Sequence, residues 1–80
     1  MVRIVLSEQL AGFTGGEREL PMEVDRYRDV VVRLLARWPE MHASLERTAV
    51  AIDGQIHQDA LDAPLRADSE VFFMPRIEGG

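Results

Sequence analysis

Chemically useful side chains are scattered through this chain of 80 residues, and the two glycines that close it hold more promise than any of them. His42 and His57 stand far apart with carboxylates spread around them, whereas a metal site needs several converging ligands. Ser7, Ser44 and Ser69 have no base at a recognisable spacing, so a nucleophilic triad is not expected. Thr14-Gly15-Gly16 lacks the helix start and the lysine of a phosphate loop and reads as a hairpin connection. The fourteen carboxylates read as a solvated face, since nothing in the sequence pairs two of them for acid–base work. All nine basic residues are arginine and cysteine is absent, which excludes disulfides, a thiolate nucleophile, Schiff-base chemistry and self-conjugation through a lysine amine.

The end of the chain remains, Pro75-Arg76-Ile77-Glu78-Gly79-Gly80. One reading is a frayed terminus or a cloning remnant. The other makes the end itself the working group. Five residues past Pro75 reach about 17 Å when extended. Two residues without side chains thread a slot that any Cβ would block. Behind them stands an α-carboxylate, ionised at neutral pH with a reference pKa of about 3.5. A carboxylate acylates poorly until an enzyme converts it to a mixed anhydride with AMP. A sulfur donor can then displace AMP and leave a thiocarboxylate, a soft and strong nucleophile.

Such a tail needs a handle, and the periodicity of the chain predicts one. Val2–Leu6 alternates Val2, Ile4 and Leu6 against Arg3 and Val5, a strand with one buried face. Residues 7–16 are rich in turn formers and read as a loop. Glu17–Val24 alternates again, and Pro21 consigns it to a sheet edge. Asp25 is the expected N-cap of a helix whose apolar stripe runs through Tyr27, Val30, Val31, Leu34, Leu35 and Trp38 and stops at Pro39. An irregular connection over 40–47, with room for one short turn, leads to a strand over 48–53, a tight turn at Asp53-Gly54, and a short strand over 55–58. Leu61 and Leu65 are the expected anchors of the next loop, and Glu70–Met74 is the last strand. In that strand Val71 and Phe73 would face the helix, and Phe72 and Met74 would face away. One helix laid across one sheet gives a two-layer α+β domain with the first and last strands parallel at its centre.

Composition narrows the partners. A net charge of −5 suits poorly a domain that grips nucleic-acid phosphates. No apolar stretch approaches the roughly 20 residues that span a bilayer, and the first residues lack a signal-peptide pattern. A cytoplasmic protein of one domain is expected, with neither nucleic acid nor membrane as partner and no bound cofactor or metal.

Four segments carry a resemblance: residues 14–22 (TGGERELPM), 51–55 (AIDGQ), 63–73 (APLRADSEVFF) and 75–80 (PRIEGG). Over essentially its whole length the chain resembles the ubiquitin-like β-grasp sulfur carriers, the group of the molybdopterin synthase small subunit and the thiamine-pathway carrier. The resemblance implies a mixed sheet of four to five strands on one main helix, in ββαββ order, over residues 1–75, with 76–80 as a tail. It implies that Gly80 is adenylated by an ATP-dependent, E1-like partner and then thiocarboxylated, while Gly79 helps thread the partner's active site. The domain is then a carrier and not itself an enzyme. Its partners would be that adenylating enzyme, a sulfur donor protein and the large catalytic subunit of a sulfur-transfer enzyme. Molybdopterin synthesis is the favoured pathway. A thiamine, cysteine or specialised thio-metabolite pathway is the near alternative, and a protein modifier or non-covalent interaction domain the distant one. The apolar docking patch of such carriers matches Ser7, Ile56 and Met74, with Phe72 sharing the outward parity and Ile77 following in the tail. Ser7 stands where an aromatic is usual, Arg76 where a second proline is usual, and Glu78 where a small residue is usual. Arg76 has two readings, pairing with an acidic rim on the partner or solvating the tail.

Overall fold

A computed structural model of the chain describes residues 1–57 and 60–76. Among these residues five strands form one mixed sheet: β1 (Val2–Val5), β2 (Glu19–Met22), β3 (Thr48–Ile52), β4 (Gln55–His57) and β5 (Glu70–Pro75). Their order is β2-β1-β5-β3-β4. β1 and β5 run parallel at the centre, and the other neighbours are antiparallel. Among the described residues three α-helices accompany the sheet: α1 (Glu8–Ala11), α2 (Tyr27–Arg37) and α3 (His42–Glu46). This is the expected α+β architecture, with α2 as the main helix.

Pro21 sits in the edge strand β2, as its chemistry requires. Leu6 N–H donates to the Arg18 carbonyl and Arg3 N–H to the Ser69 carbonyl, so odd residues of β1 turn their backbone groups toward β5. Pro21, opposite Arg3, therefore has its donorless nitrogen on the outer side of the edge, where it blocks further strand addition.

Val2 and Ile4 of β1, Leu6 just after it, Val50 and Ile52 of β3, and Val71 and Phe73 of β5 join Tyr27, Val30 and Leu34 of α2 in one buried core. The Tyr27 and Phe73 rings meet at 6.0 Å between centroids. At the far hairpin Asp53 and Gly54 take φ values of +50° and +84°, the left-handed pair that a tight two-residue turn demands. The Asp53 carboxylate accepts from Glu70 N–H at 2.9 Å and from the Ser69 hydroxyl at 2.8 Å, which fastens this hairpin to the start of β5. Those bonds, with Arg66 nearby, hold the carboxyl below the usual carboxylate range.

Four expectations are corrected. Residues 7–16 are not all loop: Ser7 caps α1 by accepting from Leu10 N–H at 3.2 Å, and Leu10 and Ala11 are buried. Asp25 is not an N-cap. Arg26 occupies that position without a side-chain cap bond, because the loop carbonyls of Ala63 and Leu61 accept from Tyr27 N–H and Arg28 N–H at 3.0 and 3.2 Å. Leu61 is no anchor, being 47 % exposed; Ala60 and Leu65 are the buried residues of that loop. The connection after Pro39 is a 3-10 turn over Pro39–Met41 followed by α3, and it buries Met41 completely.

Candidate functional site

Parity along β5 places the expected docking residues. Val71 and Phe73 are buried, while Phe72 is 40 % exposed and Met74 half-buried on the opposite face. Cross-strand register extends this into a row. Phe72 lies opposite Val5 of β1 and Ala51 of β3, and Ala51 lies opposite Ile56 of β4. Residues opposite one another share a face, so Val5, Phe72, Ala51 and Ile56 form one apolar strip across four strands. Ile56, at 60 % exposure, is its most prominent member. Met74 continues the face in the next row, opposite the buried Ala49. Val5 and Ala51 were absent from the sequence-derived patch. The outward parity of Val5 was readable, but the pairing that joins it to Phe72 is a tertiary fact.

Ser7 reaches this face only at its rim. It lines a shallow groove with Phe72 and Met74, and its hydroxyl is committed to capping α1. Along the other border of the strip Arg3 pairs with Glu19 and, at 3.2 Å, with Glu70. These exposed pairs add little stability but set a charged edge beside the apolar strip.

The tail departs from the same strand. Pro75 lies opposite Thr48, past the stretch where β1 pairs with β5, so its missing N–H costs the central ladder nothing. Arg76 N–H then donates to the Arg47 carbonyl at 3.1 Å, and the Arg76 side chain is exposed. Ile77, Gly79 and Gly80, three of the expected site residues, lie outside the described residues, as does Glu78.

The other groups take structural places. His42 pairs with Glu46 one turn later at 3.6 Å, both exposed. Among the described residues no three metal-ligating side chains converge. Ser69, read from sequence as a serine without a base, is buried and bonded to Asp53 and to Arg66 N–H. Burial pushes the Tyr27 phenol well above its usual range, so it stays a hydroxyl donor. Among the described residues no helix is long and apolar enough to cross a membrane.

Comparison with solved structures agrees with this geometry. The chain is similar to a protein of the Amycolatopsis orientalis BexX/CysO complex, with a TM-score of 0.82, 17 % identity and full coverage of both chains. It is similar to the small archaeal modifier protein 1 of Methanosarcina acetivorans, with a TM-score of 0.79 and 21 % identity over 99 % of this chain and 95 % of that one. It is also similar to a putative molybdopterin converting factor, subunit 1, from Pyrococcus furiosus, with a TM-score of 0.71 and 17 % identity over 95 % and 97 % of the two chains. No family model matches the sequence, and no curated protein does. The fold is the ubiquitin-like β-grasp.

Proposed function

We propose that this domain is a sulfur carrier and that Gly80 is its reactive residue. The observation that carries the reading is a Gly-Gly pair a few residues beyond the last strand of a ubiquitin-like β-grasp fold. Residues 1–75 serve as the handle and 76–80 as the tail. The domain does not catalyse; its terminal group is a co-substrate of partner enzymes. In the first step a carboxylate oxygen of Gly80 attacks the α-phosphorus of ATP held by an E1-like enzyme, and pyrophosphate leaves. In the second, hydrosulfide from a sulfur donor protein attacks the acyl carbon. A C–S bond forms, the C–O bond to AMP breaks, and AMP departs with the electron pair. The product is a thiocarboxylate that hands sulfur to a substrate in a large catalytic subunit. Gly79 and Gly80 admit the chain to a narrow channel. Phe72, Ile56 and Met74, joined by Val5 and Ala51, form the docking face, with Arg76 and Ile77 guiding the tail. The finer reading is the small subunit of molybdopterin synthase, supported by the likeness to the Pyrococcus protein and by the terminal segments of the sequence.

A second reading is favoured by the likeness to the small archaeal modifier protein, in which the same activated Gly80 acylates lysines of other proteins. This chain, without lysine, would donate but offer no ε-amine of its own. One experiment separates the readings. The protein is purified from its own host and its intact mass recorded, then incubated with the host's E1-like enzymes, ATP and sulfide. Exchange of one terminal oxygen for sulfur supports the carrier. Adducts on target lysines without that exchange support the modifier. An unaltered carboxylate with every such enzyme refutes both.

A further inference from the structure

Backbone pairing between β3 and β5 continues past the ends of both strands. Asp53 N–H donates to the Glu70 carbonyl at one end of the ladder, and Arg76 N–H to the Arg47 carbonyl at the other. The register that sets Ile52 opposite Val71 and Thr48 opposite Pro75 makes both of these facing pairs. Antiparallel strands exchange hydrogen bonds at every second pair. Pro75 therefore falls between bonded pairs, with its donorless nitrogen turned away from β3, and Arg76 supplies the last rung. A proline one residue later would delete that rung.

The acceptor is itself held. Arg47 follows the end of α3, and its own N–H donates back to the Ser44 carbonyl at 3.1 Å. The Thr48 hydroxyl donates to the same carbonyl at 2.7 Å. These two bonds grip the residues on either side of the peptide group whose oxygen takes the Arg76 N–H. Met41, completely buried in the turn before α3, seats that helix in turn. The start of the tail is tied through this peptide group to a packed corner of the domain.

The consequence for the chemistry is one of reach. With Arg76 held, four residues lead to the end of the chain at Gly80 and span at most about 14 Å. With that rung broken, the next pair able to bond to β3 is at Met74, and six residues spanning about 20 Å follow it. The effective concentration of a tethered group falls roughly as the −3/2 power of tether length, so the shorter tether gains about twofold. A fixed root also leaves less freedom to lose when the tail enters a channel.

We propose that Thr48 is a positioning residue for the activation of Gly80: its hydroxyl orients the Arg47 carbonyl, that carbonyl holds Arg76 N–H, and the adenylating enzyme receives the tail from a fixed root. This rests on the carrier reading and concerns the same site. The test uses the full chain, with amide hydrogen exchange on the chain alone and pyrophosphate exchange with whichever purified E1-like host enzyme activates it. In the wild type the Arg76 amide should exchange more slowly than in an unfolded chain. Thr48→Val keeps the shape and removes the hydroxyl. It should speed exchange at Arg76 about fivefold, while the Ala51 and Phe72 amides of the same ladder keep their rates. It should also lower kcat/KM by about two- to fivefold. Thr48→Ser, which keeps the hydroxyl, should restore both. Arg76→Ala and Arg76→Pro lose the same side chain, but only the second loses the N–H. Its kcat/KM should be lower by a further factor of about two to five. An unprotected Arg76 amide, equal activation of the two Arg76 variants, or wild-type behaviour of Thr48→Val overturns the positioning role and leaves the carrier reading standing. So does faster exchange throughout the ladder in Thr48→Val, which would make the hydroxyl a support of the fold. A wild-type chain that no such enzyme activates overturns the carrier reading and the positioning role with it.

Discussion

Phe72 and Phe73 are chemically identical and adjacent, yet one is 40 % exposed and the other 1 %. Phe73 packs against Tyr27 beneath α2, and Phe72 joins Val5, Ala51 and Ile56 on the open face. Side-chain chemistry does not distinguish them; the pleat does. One residue of slip in β5 would exchange the core for the exposed apolar strip. The parallel pairing with β1 and the antiparallel pairing with β3 both fix that register, and Asp53 clamps its first residue. The same strand thus holds the domain together on one face and leaves an open apolar strip, the proposed docking face, on the other.

The largest effect should come from the inner member of the pair. Phe73→Ala deletes a fully buried ring at the centre of the sheet and should cost about 3–5 kcal/mol. A domain of this size has roughly 4–12 kcal/mol in total. Urea unfolding should place the variant close to its transition in plain buffer. A loss below about 1 kcal/mol would mean that the two faces are assigned the wrong way round.

The clamp that sets the register comes next. Ser69→Ala removes the hydroxyl that donates to Asp53 and accepts from Arg66 N–H, in a buried position. The expected cost is about 1–3 kcal/mol. It should also change the acid response. The folded Asp53 carboxyl is held below its unfolded value, so its contribution is present above the ordinary carboxylate range. That contribution is lost as pH falls through the depressed folded value. The urea midpoint of the wild type should therefore fall on acidification, and Ser69→Ala should flatten that fall. Equal slopes in the two proteins would remove Asp53 from the clamp.

How much of this was legible in the sequence depends on whether a residue's role is local. Alternation in Val2–Val5 and Glu70–Pro75, the stripe of α2, the Asp53-Gly54 turn and the edge placement of Pro21 all follow from short-range rules, and all are present. The corrected elements depend on distant partners. Asp25 looks like a cap, but the carbonyls of Ala63 and Leu61 reach α2 from a loop more than thirty residues away. Met41 sits among residues with no clear period and is buried because the 3-10 turn carries it under the core. Helix α1 was signalled by Ser7 followed by Glu8, a cap with an acid in the first turn, but the glycines after it outweighed that signal. The strip was half legible: parity turned Phe72 outward, whereas only register brings Ile56 into line with it.

The outer member should behave in the reverse manner from Phe73. Phe72→Ser and Ile56→Asp alter partly exposed strand positions, so stability should move by no more than about 1 kcal/mol. Binding to the adenylating enzyme, measured by calorimetry, should weaken by about 1–3 kcal/mol for each. Unfolding without a binding defect in the surviving fraction would show that the strip serves the fold and not a partner.

The smallest effect on stability should accompany the greatest effect on function. Removing Gly79 and Gly80 takes away two residues that follow the last described backbone bond, from Arg76 N–H to the Arg47 carbonyl. The core cluster described for the fold needs neither of them. Unfolding free energy should change by no more than about 0.5 kcal/mol, the usual span for surface changes. Docking through Phe72 and Ile56 should persist, because those side chains sit on the sheet. Adenylation should vanish, because the acylated atom is gone. Gly80→Ala divides the effect further: it keeps a carboxylate and adds one methyl, so activation should fall sharply if the partner's channel is fitted to glycine. A truncated chain that still supports its pathway in the host would place the function in the docking face alone. The comparison between the two phenylalanines would then describe the whole protein, and the terminal glycines would have no part in it.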